Sequence, residues 1–505
     1  MPEVIIMQNQ KELCRKSFEP PCFLAHLIGS LAQPCAGRGY CGKCRVRAHG
    51  KLSRPTAQER AKLTARELSD GVRLACQAMA LGDVRIFLPN EPNTRKANAA
   101  DVVSVSPLGS EYGFALDLGT TTVSAALYHL PTGKCCGRKN IPNPQSPYGA
   151  DVLSRLQYAV QGSADALSTC VRHALYDLCA SLLMEQRLAP NDVDAAVLVG
   201  NTAMLYLLYG VSPATIAAAP FTCDTKFGAF YPADFLPVRR GTKVYVPRCI
   251  SAFLGADTTA AILGCDLTRS GARMLCDLGT NGEMVLYTGD ALYGCSCAAG
   301  PAFEGVGLSC GMCAVDGAVH TAMLSGGHIV YRTCADAPPK GLCGSGVVDL
   351  LACLLRLGVL QEDGRLTNSD RYYLEDTPVY LSQQDVRQIQ LAKSAVRSGS
   401  EILLRHADAD VQALSLAGTF GSALHAGSAA RIGLFPPALH GRISACGNAA
   451  GTGAAMLLLD RGRLEESERL AQRVQTIQLA DLPEFQELLM RYTAFESSKE
   501  KSQWT

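Results

Sequence analysis

Two places in the chain share one pattern of apolar and polar positions. A short apolar run, Phe114-Ala115-Leu116, meets Asp-Leu-Gly-Thr-Thr-Thr at residues 117–122, and a second apolar run follows at 123–127. Farther on, Met274-Leu275-Cys276 meets Asp-Leu-Gly-Thr-Asn-Gly-Glu at residues 277–283, followed by apolar residues at 284–286. Each predicts a strand, a tight glycine turn and a returning strand. Two copies of that unit predict an internal duplication, with a ligand held between two lobes. Further buried strands are predicted at 195–199 and 413–417, each running into a glycine turn. Helical patterns fall at 152–159, 164–183, 346–357 and 382–398. In the last of these Ser382 is the expected N-cap, and Val386, Ile389 and Ala392 recur at helical spacing. From residue 112 onward the alternation of strands and helices predicts α/β layers. In such sheets ligands collect at the carboxyl ends of strands.

The N-terminal stretch has a different rhythm. Strands are predicted at 4–7, 44–48 and 84–88. A short helix is predicted at 56–63, with Thr56 as N-cap and Glu59 three residues on. Residues 89–107 are rich in Asn, Pro, Ala and Ser without apolar periodicity, which predicts a linker. A charged amphipathic helical stretch is predicted at 464–490, a packing helix by its pattern. The expected domains are 1–90, a linker over 91–110, a two-lobed module over 111–465 (lobes 111–270 and 271–465), and a C-terminal helical segment and tail over 466–505.

Composition narrows the classes. At 505 residues the length prior is about three domains, and 48% apolar with 18% charged residues describes a globular chain with ample core. A net charge of +1 without a long basic run argues against nucleic acid as a partner. No run reaches the ~18 apolar residues of a membrane helix, and no secretory signal pattern opens the chain, so a cytoplasmic location and no membrane partner are expected. Twenty-two cysteines in a reducing compartment point to metal or redox use rather than disulfides. Those scattered singly in apolar segments are expected to be small buried side chains.

Four cysteines are patterned: Cys35, Cys41, Cys44 and, 31 residues beyond, Cys76. Three cysteines in a glycine-rich loop with a distant fourth form a [2Fe–2S] pattern close to the plant-type spacing. The five-residue first gap matches ferredoxins of the adrenodoxin kind. Gly37, Gly39 and Gly42 let the loop wrap tightly and aim N–H groups at sulfur. A zinc site from the same four cysteines is the competing reading, although the spacing fits zinc ribbons poorly. The Gly37-x-Gly39-x-x-Gly42 match to a dinucleotide fingerprint does not open an apolar helix and is set aside. Cys295, Cys297, Cys310 and Cys313 have a spacing that permits metal, but packing thiols are expected there.

The two Gly-Thr turns suit a nucleotide. Their backbone N–H groups and hydroxyls suit phosphate oxygens, and an Asp at the strand end suits a hydrated Mg²⁺. Asp117 and Asp277 are therefore the expected Mg²⁺–ATP residues, with Gly119, Thr120, Thr121 and Thr122 in one turn and Gly279, Thr280 and Asn281 in the other. Asp257 and Glu304 lie in glycine-rich loops, where either orients the attacking water or caps a helix. His425 is expected to be a solvated or core residue rather than a ligand. Ser345 lacks a paired His or Asp, so a hydrolase reading is weak.

Ala417-Gly418-Thr419-Phe420-Gly421 resembles the adenosine-contacting loop of the actin-like ATPase superfamily, and residues 117–122 and 277–281 resemble its phosphate loops. Cys343-Gly344-Ser345-Gly346 and Gly447-Asn448-Ala449 resemble the connecting helix starts of one branch. That branch is the reductive activators of corrinoid-dependent methyltransferases. Asn143-Pro144-Gln145, Gly200-Asn201-Thr202, Leu254-Gly255-Ala256-Asp257 and residues 299–305 match it as well. Tyr206 stands where the branch has His. The tail has no cysteine after Cys446, unlike a related clan with C-terminal [4Fe–4S] clusters.

The resemblance implies an α/β fold: an N-terminal β-grasp [2Fe–2S] ferredoxin domain, then a two-lobed, duplicated ribonuclease-H-like ATPase module. It implies cofactor-binding roles for Gly344, Ser345 and Gly346 at the connecting helix start, and for Gly418, Thr419, Phe420 and Gly421 in the adenosine-contacting loop. It also implies an ATP-dependent activator that passes an electron from a cellular donor, through its cluster, to cobalt(II) of a corrinoid protein. The cofactors would be a [2Fe–2S] cluster, ATP and Mg²⁺. A homodimer is one option it leaves. The rival readings are a small-molecule kinase with a redox-sensing ferredoxin domain, and a non-enzymatic, ATP-gated electron-carrier scaffold.

Overall fold

The computed structural model describes residues 1–8, 11–28, 44–87, 104–149, 151–367 and 369–495. The chain divides into two compact units, Met1–Lys96 and Ala97–Thr505. Cys35, Cys41 and the glycines between them lie outside the described residues, as do most of the predicted linker and the last ten residues.

The N-terminal unit is a mixed β-grasp sheet in the order Lys11–Ser17, Glu3–Gln8, Met79–Phe87, Arg45–Leu52, Val72–Leu74, with Cys22–Phe23 also paired to Met79–Phe87. Glu3–Gln8 and Met79–Phe87 run parallel. In the central strand Ala80, Val84 and Ile86 face the core while Leu81, Asp83 and Arg85 face outward, the two-residue period of a half-buried strand. Thr56 caps the Ala57–Lys62 helix through the expected capping box: its hydroxyl accepts from Glu59 N–H at 3.2 Å and its own N–H donates to Glu59 Oε2 at 2.9 Å. Glu59 does more than cap. It is fully buried and takes Arg73 Nε and Nη2 at 2.8 and 2.9 Å, a bidentate pair that joins this helix to the strand leading to Cys76.

The large unit holds the duplication. Its first sheet runs Ala229–Pro232, Lys243–Val246, Val193–Gly200, Tyr112–Leu118, Thr122–His129, Lys134–Pro142. Its second runs Ile443–Gly447, Ala413–Ala417, Arg273–Leu278, Gly282–Tyr287, Leu292–Cys297, Val474–Thr476. In both, the strand bearing the Asp opens an antiparallel meander and lies parallel to the next strand on its other side.

Strand alternation then decides which way each Asp faces. Phe114, Leu116 and Leu118 belong to the first lobe's own core, and Met274, Cys276 and Leu278 to the second lobe's. Ala115 and Leu275 belong instead to a third core shared by both sheets and by the helices Ala256–Gly264 and Ala449–Leu459. Asp117 and Asp277 are two residues beyond Ala115 and Leu275, so both face the joint between the lobes. The two helices cross at backbone contact. A Cβ on Gly453 would lie 1.9 Å from Ala260 O, and one on Gly264 would lie 2.2 Å from Ala449 O.

Three stretches differ from the sequence pattern. The helix expected at 382–398 spans Gln383–Ala407 with Ser382 as cap, because its apolar stripe continues through Ile402 and Leu403 into the core. The stretch 464–490 is not one helix. It is Arg463–Arg473, then the edge strand Val474–Thr476, then Pro483–Arg491; pairing with Leu292–Cys297 overrides helical propensity there. Residues 105–110 are tied to the large unit: Val105 and Leu108 N–H donate to Leu459 and Leu458 O at 3.1 and 3.0 Å, and Ser110 N–H donates to Asp194 Oδ2 at 2.8 Å.

Candidate active site

The two Gly-Thr turns meet at the joint. In the first, four residues separate the paired Leu118 and Val123; in the second, three separate the paired Leu278 and Gly282. Thr121 Oγ1 and Thr280 Oγ1 lie 3.5 Å apart, and each donates to the same oxygen, Glu304 Oε2, at 3.0 Å. One carboxylate thus takes a hydroxyl from each lobe. Glu304 ends a short 3₁₀ turn, Pro301–Glu304, flanked by Gly300 (φ +74°) and Gly305 (φ +78°), backbone conformations that favour glycine.

Around this junction stand four more carboxylates. Asp117 Oδ2 accepts from Asn448 Nδ2 at 2.8 Å, but burial still raises its carboxyl to about 6. Asp277 is raised to about 7 by burial, then by the charges of Asp117 and Glu304. Asp257 is raised to about 7 by burial and by Asp117, against the N–H of Thr258 that it accepts at 2.7 Å. Glu283 pairs across the strands with Asp277 and is pushed well up by burial, Asp257 and Asp277. The site is short of positive charge, and a cation with bound phosphate would suit it. Among the described residues no three ligating side chains converge on one point.

Buried polar side chains brace the first turn from behind. Arg155, buried on the Val152–Tyr158 helix, donates to Thr120 O at 2.8 Å and to Gly149 O at 2.9 Å. Asn143 Nδ2 donates to Gly119 O at 2.8 Å. The 417–421 loop reaches the site through Gly418: its φ is +79°, and a Cβ there would lie 2.6 Å from Asp277 Oδ1. Glycine is required on both counts.

Of the residues expected from the sequence, Asp117, Asp257, Asp277, Glu304, Thr121 and Thr280 are brought together. Thr120 turns its carbonyl to Arg155; Thr122 opens the returning strand and is exposed. Asn281 closes the second turn, its carbonyl accepting from Gly279 N–H at 2.9 Å. Phe420 stacks on Phe303 with centroids 4.9 Å apart and an interplanar angle of 13°. The side chain of Thr419 lies outside the described residues. Gly421 packs on Leu416. Gly344, Ser345 and Gly346 are buried at the start of the Gly344–Leu357 helix. Ser345 Oγ donates to His320 O at 2.8 Å, and a Cβ on Gly344 or Gly346 would meet Phe303 O or Val319 O at 1.6 or 2.0 Å. As placed, these three serve packing. His425 caps the Ala426–Arg431 helix, accepting from Ser428 N–H at 3.2 Å. Tyr206 is fully buried, and its hydroxyl accepts from Thr225 N–H at 2.7 Å. Cys295 and Cys297 are buried in the second lobe's core.

Asn448, Glu283 and Arg155 were not singled out as site residues. Glu283 shares its strand phase with Val285, which lines the shared core, so alternation could have found it. Arg155 carries no such signal.

In the N-terminal unit Cys44 and Cys76 are both buried, with Sγ atoms 3.2 Å apart, and Gln77 Nε2 lies 3.7 Å from the Cys76 sulfur. Two converging buried sulfurs beside a side-chain donor suit a metal–sulfur group.

Residues 271–503 match the family described as the C-terminal domain of RACo, the ASKHA domain, and residues 112–270 match the RACo middle region. Over 418 residues the chain is 31% identical to the corrinoid activation enzyme RamQ of Eubacterium limosum, covering 76% of this chain and 70% of that protein. Over 405 residues it is 26% identical to the [Co(II) methylated amine-specific corrinoid protein] reductase of Methanosarcina barkeri, covering 72% and 73%. A solved structure, the reductive activator for corrinoid,iron-sulfur protein, aligns with a TM-score of 0.71 at 25% identity over 98% of both chains.

Proposed function

The chain belongs to the family of reductive activators of corrinoid proteins, and from that premise we propose how its own residues do the work. It takes one electron from a cellular donor onto a [2Fe–2S] cluster held by Cys35, Cys41, Cys44 and Cys76. It passes that electron to cobalt(II) of a methyltransferase system's corrinoid protein, restoring cobalt(I), and it spends ATP on the step. The observation that carries the ATP part is the Thr121–Glu304–Thr280 junction, flanked by Asp117 and Asp277.

The two hydroxyls now given to Glu304 are the donors that would meet the terminal phosphate oxygens. The Glu304 carboxylate stands where an anionic phosphate oxygen would lie. Incoming phosphate would displace it, leaving Glu304 to accept a proton from the attacking water. Asp117 and Asp277 would hold Mg²⁺ through water, and the ion supplies charge neutralisation along the phosphates. Asn448 holds Asp117 in place, and Asp257 is anchored by its own helix N-terminus. Arg155 and Asn143 hold the carbonyls of Thr120 and Gly119 behind the first turn. A bound [2Fe–2S] cluster would supply a one-electron carrier, and the buried sulfurs of Cys44 and Cys76 would be two of its ligands.

ATP is needed because the electron must travel uphill. Plant-type clusters lie near about −400 mV, and the cobalt(II)/cobalt(I) couple that the family's chemistry implies lies lower. Each ~100 mV uphill costs about 2.3 kcal/mol for one electron. Two lobes that close on nucleotide can select between binding states of the partner whose free energies differ by that much.

The test is anaerobic absorption spectroscopy of the corrinoid partner with a reduced donor. With Mg²⁺–ATP the cobalt(I) band should grow. Without ATP, or with Asp277→Asn, the yield should fall at least about tenfold. Equal yields in all three arms would remove the ATP-driven reading.

A further inference from the structure

Beside the carboxylate cluster, two sulfurs from opposite sides of the joint touch. Cys265 follows the last turn of the Ala256–Gly264 helix, at the end of the first lobe's sequence. Cys446 lies in Ile443–Gly447, the edge strand of the second lobe's sheet. They are 181 residues apart, and their Sγ atoms lie 3.0 Å from each other.

The contact is built by a bulge. Leu416 pairs with Ala445 and Ala417 with Gly447, so Cys446 is the extra residue in the ladder. A bulge re-aims its side chain. Cys446 Sγ also lies 3.1 Å from Leu416 O. Both cysteines are half-buried and pack against the core shared by the two sheets. The neighbouring Cys446 sulfur and then burial push the Cys265 thiol well up, so the exchange does not open on Cys265. Two residues after Cys446 comes Asn448, whose amide holds Asp117. The region therefore joins a first-lobe helix end to a second-lobe strand end, beside the crossing at Gly264 and Gly453.

We infer that Cys265 and Cys446 form a redox-sensitive pair: oxidation by a low-molecular-weight disulfide staples the two lobes and stops the nucleotide cycle. The chemistry balances by exchange. One cysteine attacks the oxidant's disulfide and releases one small thiol. The other attacks the mixed disulfide and releases the second. The protein loses two electrons and two protons, and one oxidant disulfide becomes two thiols. A bond of about 2.05 Å replaces the contact, so the sulfurs must approach by roughly 1 Å. A crosslink between lobes that hinge on each other would hold one conformation. An activator that spends ATP to make a strong reductant would then idle while its surroundings are oxidising. The inference rests on the ATPase reading only for its consequence, not for the bond itself.

The full-length protein is incubated anaerobically with glutathione disulfide, quenched by alkylation, and mapped by mass spectrometry. In parallel, ATP turnover and the Mg²⁺–ATP shift in unfolding temperature are measured for the wild type, Cys265→Ser and Cys446→Ser. The expected result is a 265–446 linked peptide, at least a fivefold loss of turnover in the wild type, recovery with dithiothreitol, and unchanged turnover in both serine variants. Absence of the linked peptide, or its presence with full turnover, overturns the proposal. So does an equal loss in the serine variants, which would place the damage elsewhere. If the reduced protein hydrolyses no ATP, the ATPase reading fails by itself. The linked peptide, with loss of the Mg²⁺–ATP shift in the wild type alone, then decides for the staple, and an unaltered shift decides against it.

Discussion

At the scale of single residues, the site is a set of carboxylates held where they repel one another. Asp117, Asp257 and Asp277 have carboxyls raised to about 6, 7 and 7. A carboxyl raised in the folded state contributes stability that is fully present below its unfolded value near 4 and is lost as pH rises through the folded value. The ligand-free protein should therefore lose part of its stability between about pH 4 and 7. Mg²⁺ favours the deprotonated forms, so the rise in unfolding temperature produced by Mg²⁺–ATP should grow across the same window. Melting curves at half-unit pH steps check this, and Asp277→Asn should flatten the trend. A Mg²⁺–ATP shift independent of pH would mean that these carboxyls do not face the ion.

At the scale of elements, the joint depends on two helices that cross at backbone contact through Gly264 and Gly453. Gly→Ala inside a helix ordinarily stabilises by about 1 kcal/mol. At Gly453 the added Cβ would sit 1.9 Å from a backbone oxygen of the other helix, and that oxygen cannot step aside alone. Gly453→Ala is therefore expected to lower stability by about 1–3 kcal/mol, the usual range for overpacking, and to weaken ATP turnover by spreading the turns. Thermal unfolding followed by circular dichroism gives the sign. A higher midpoint would show that the crossing yields easily. Ala417–Gly418 is a second such place, where a strand ends against Asp277 and only glycine fits.

At the scale of the whole molecule, the chain is two units with separate cores. Cys44 and Cys76 belong to one unit and the two Gly-Thr turns to the other. Cys76→Ser should remove bound iron and the visible absorption of a [2Fe–2S] cluster while leaving ATP turnover within about twofold, since separate cores fold as separate units. Iron analysis and phosphate release on the same preparation test it. Loss of both activities together would mean that the units are coupled in folding. Among the described residues no helix is long and apolar enough to cross a membrane.

Much of this was legible in the chain because it is written in local chemistry. The duplicated Asp-x-Gly-Thr turns, the strand phase on either side of them and the Thr56–Glu59 cap each depend on residues close in sequence, where period and turn type decide the outcome. The grouping of Asp117 with Asp277 followed from the duplication alone. What the chain did not disclose depends on distant partners. Glu304 grips one threonine from each lobe only because a glycine-flanked turn lands on the joint. Asn448 meets Asp117 across 331 residues, and Arg155 reaches the back of a turn it does not adjoin. The 464–490 stretch is charged and amphipathic at both ends, but Val474–Thr476 between them pairs with an open sheet edge and Pro483 starts a separate helix. Cys446 reads as one thiol among many; only a bulge in a parallel ladder sets it against Cys265. Local pattern determined which elements form and which face each presents. Tertiary packing decided which of those faces, from distant parts of the chain, share a hydrogen bond or a sulfur contact.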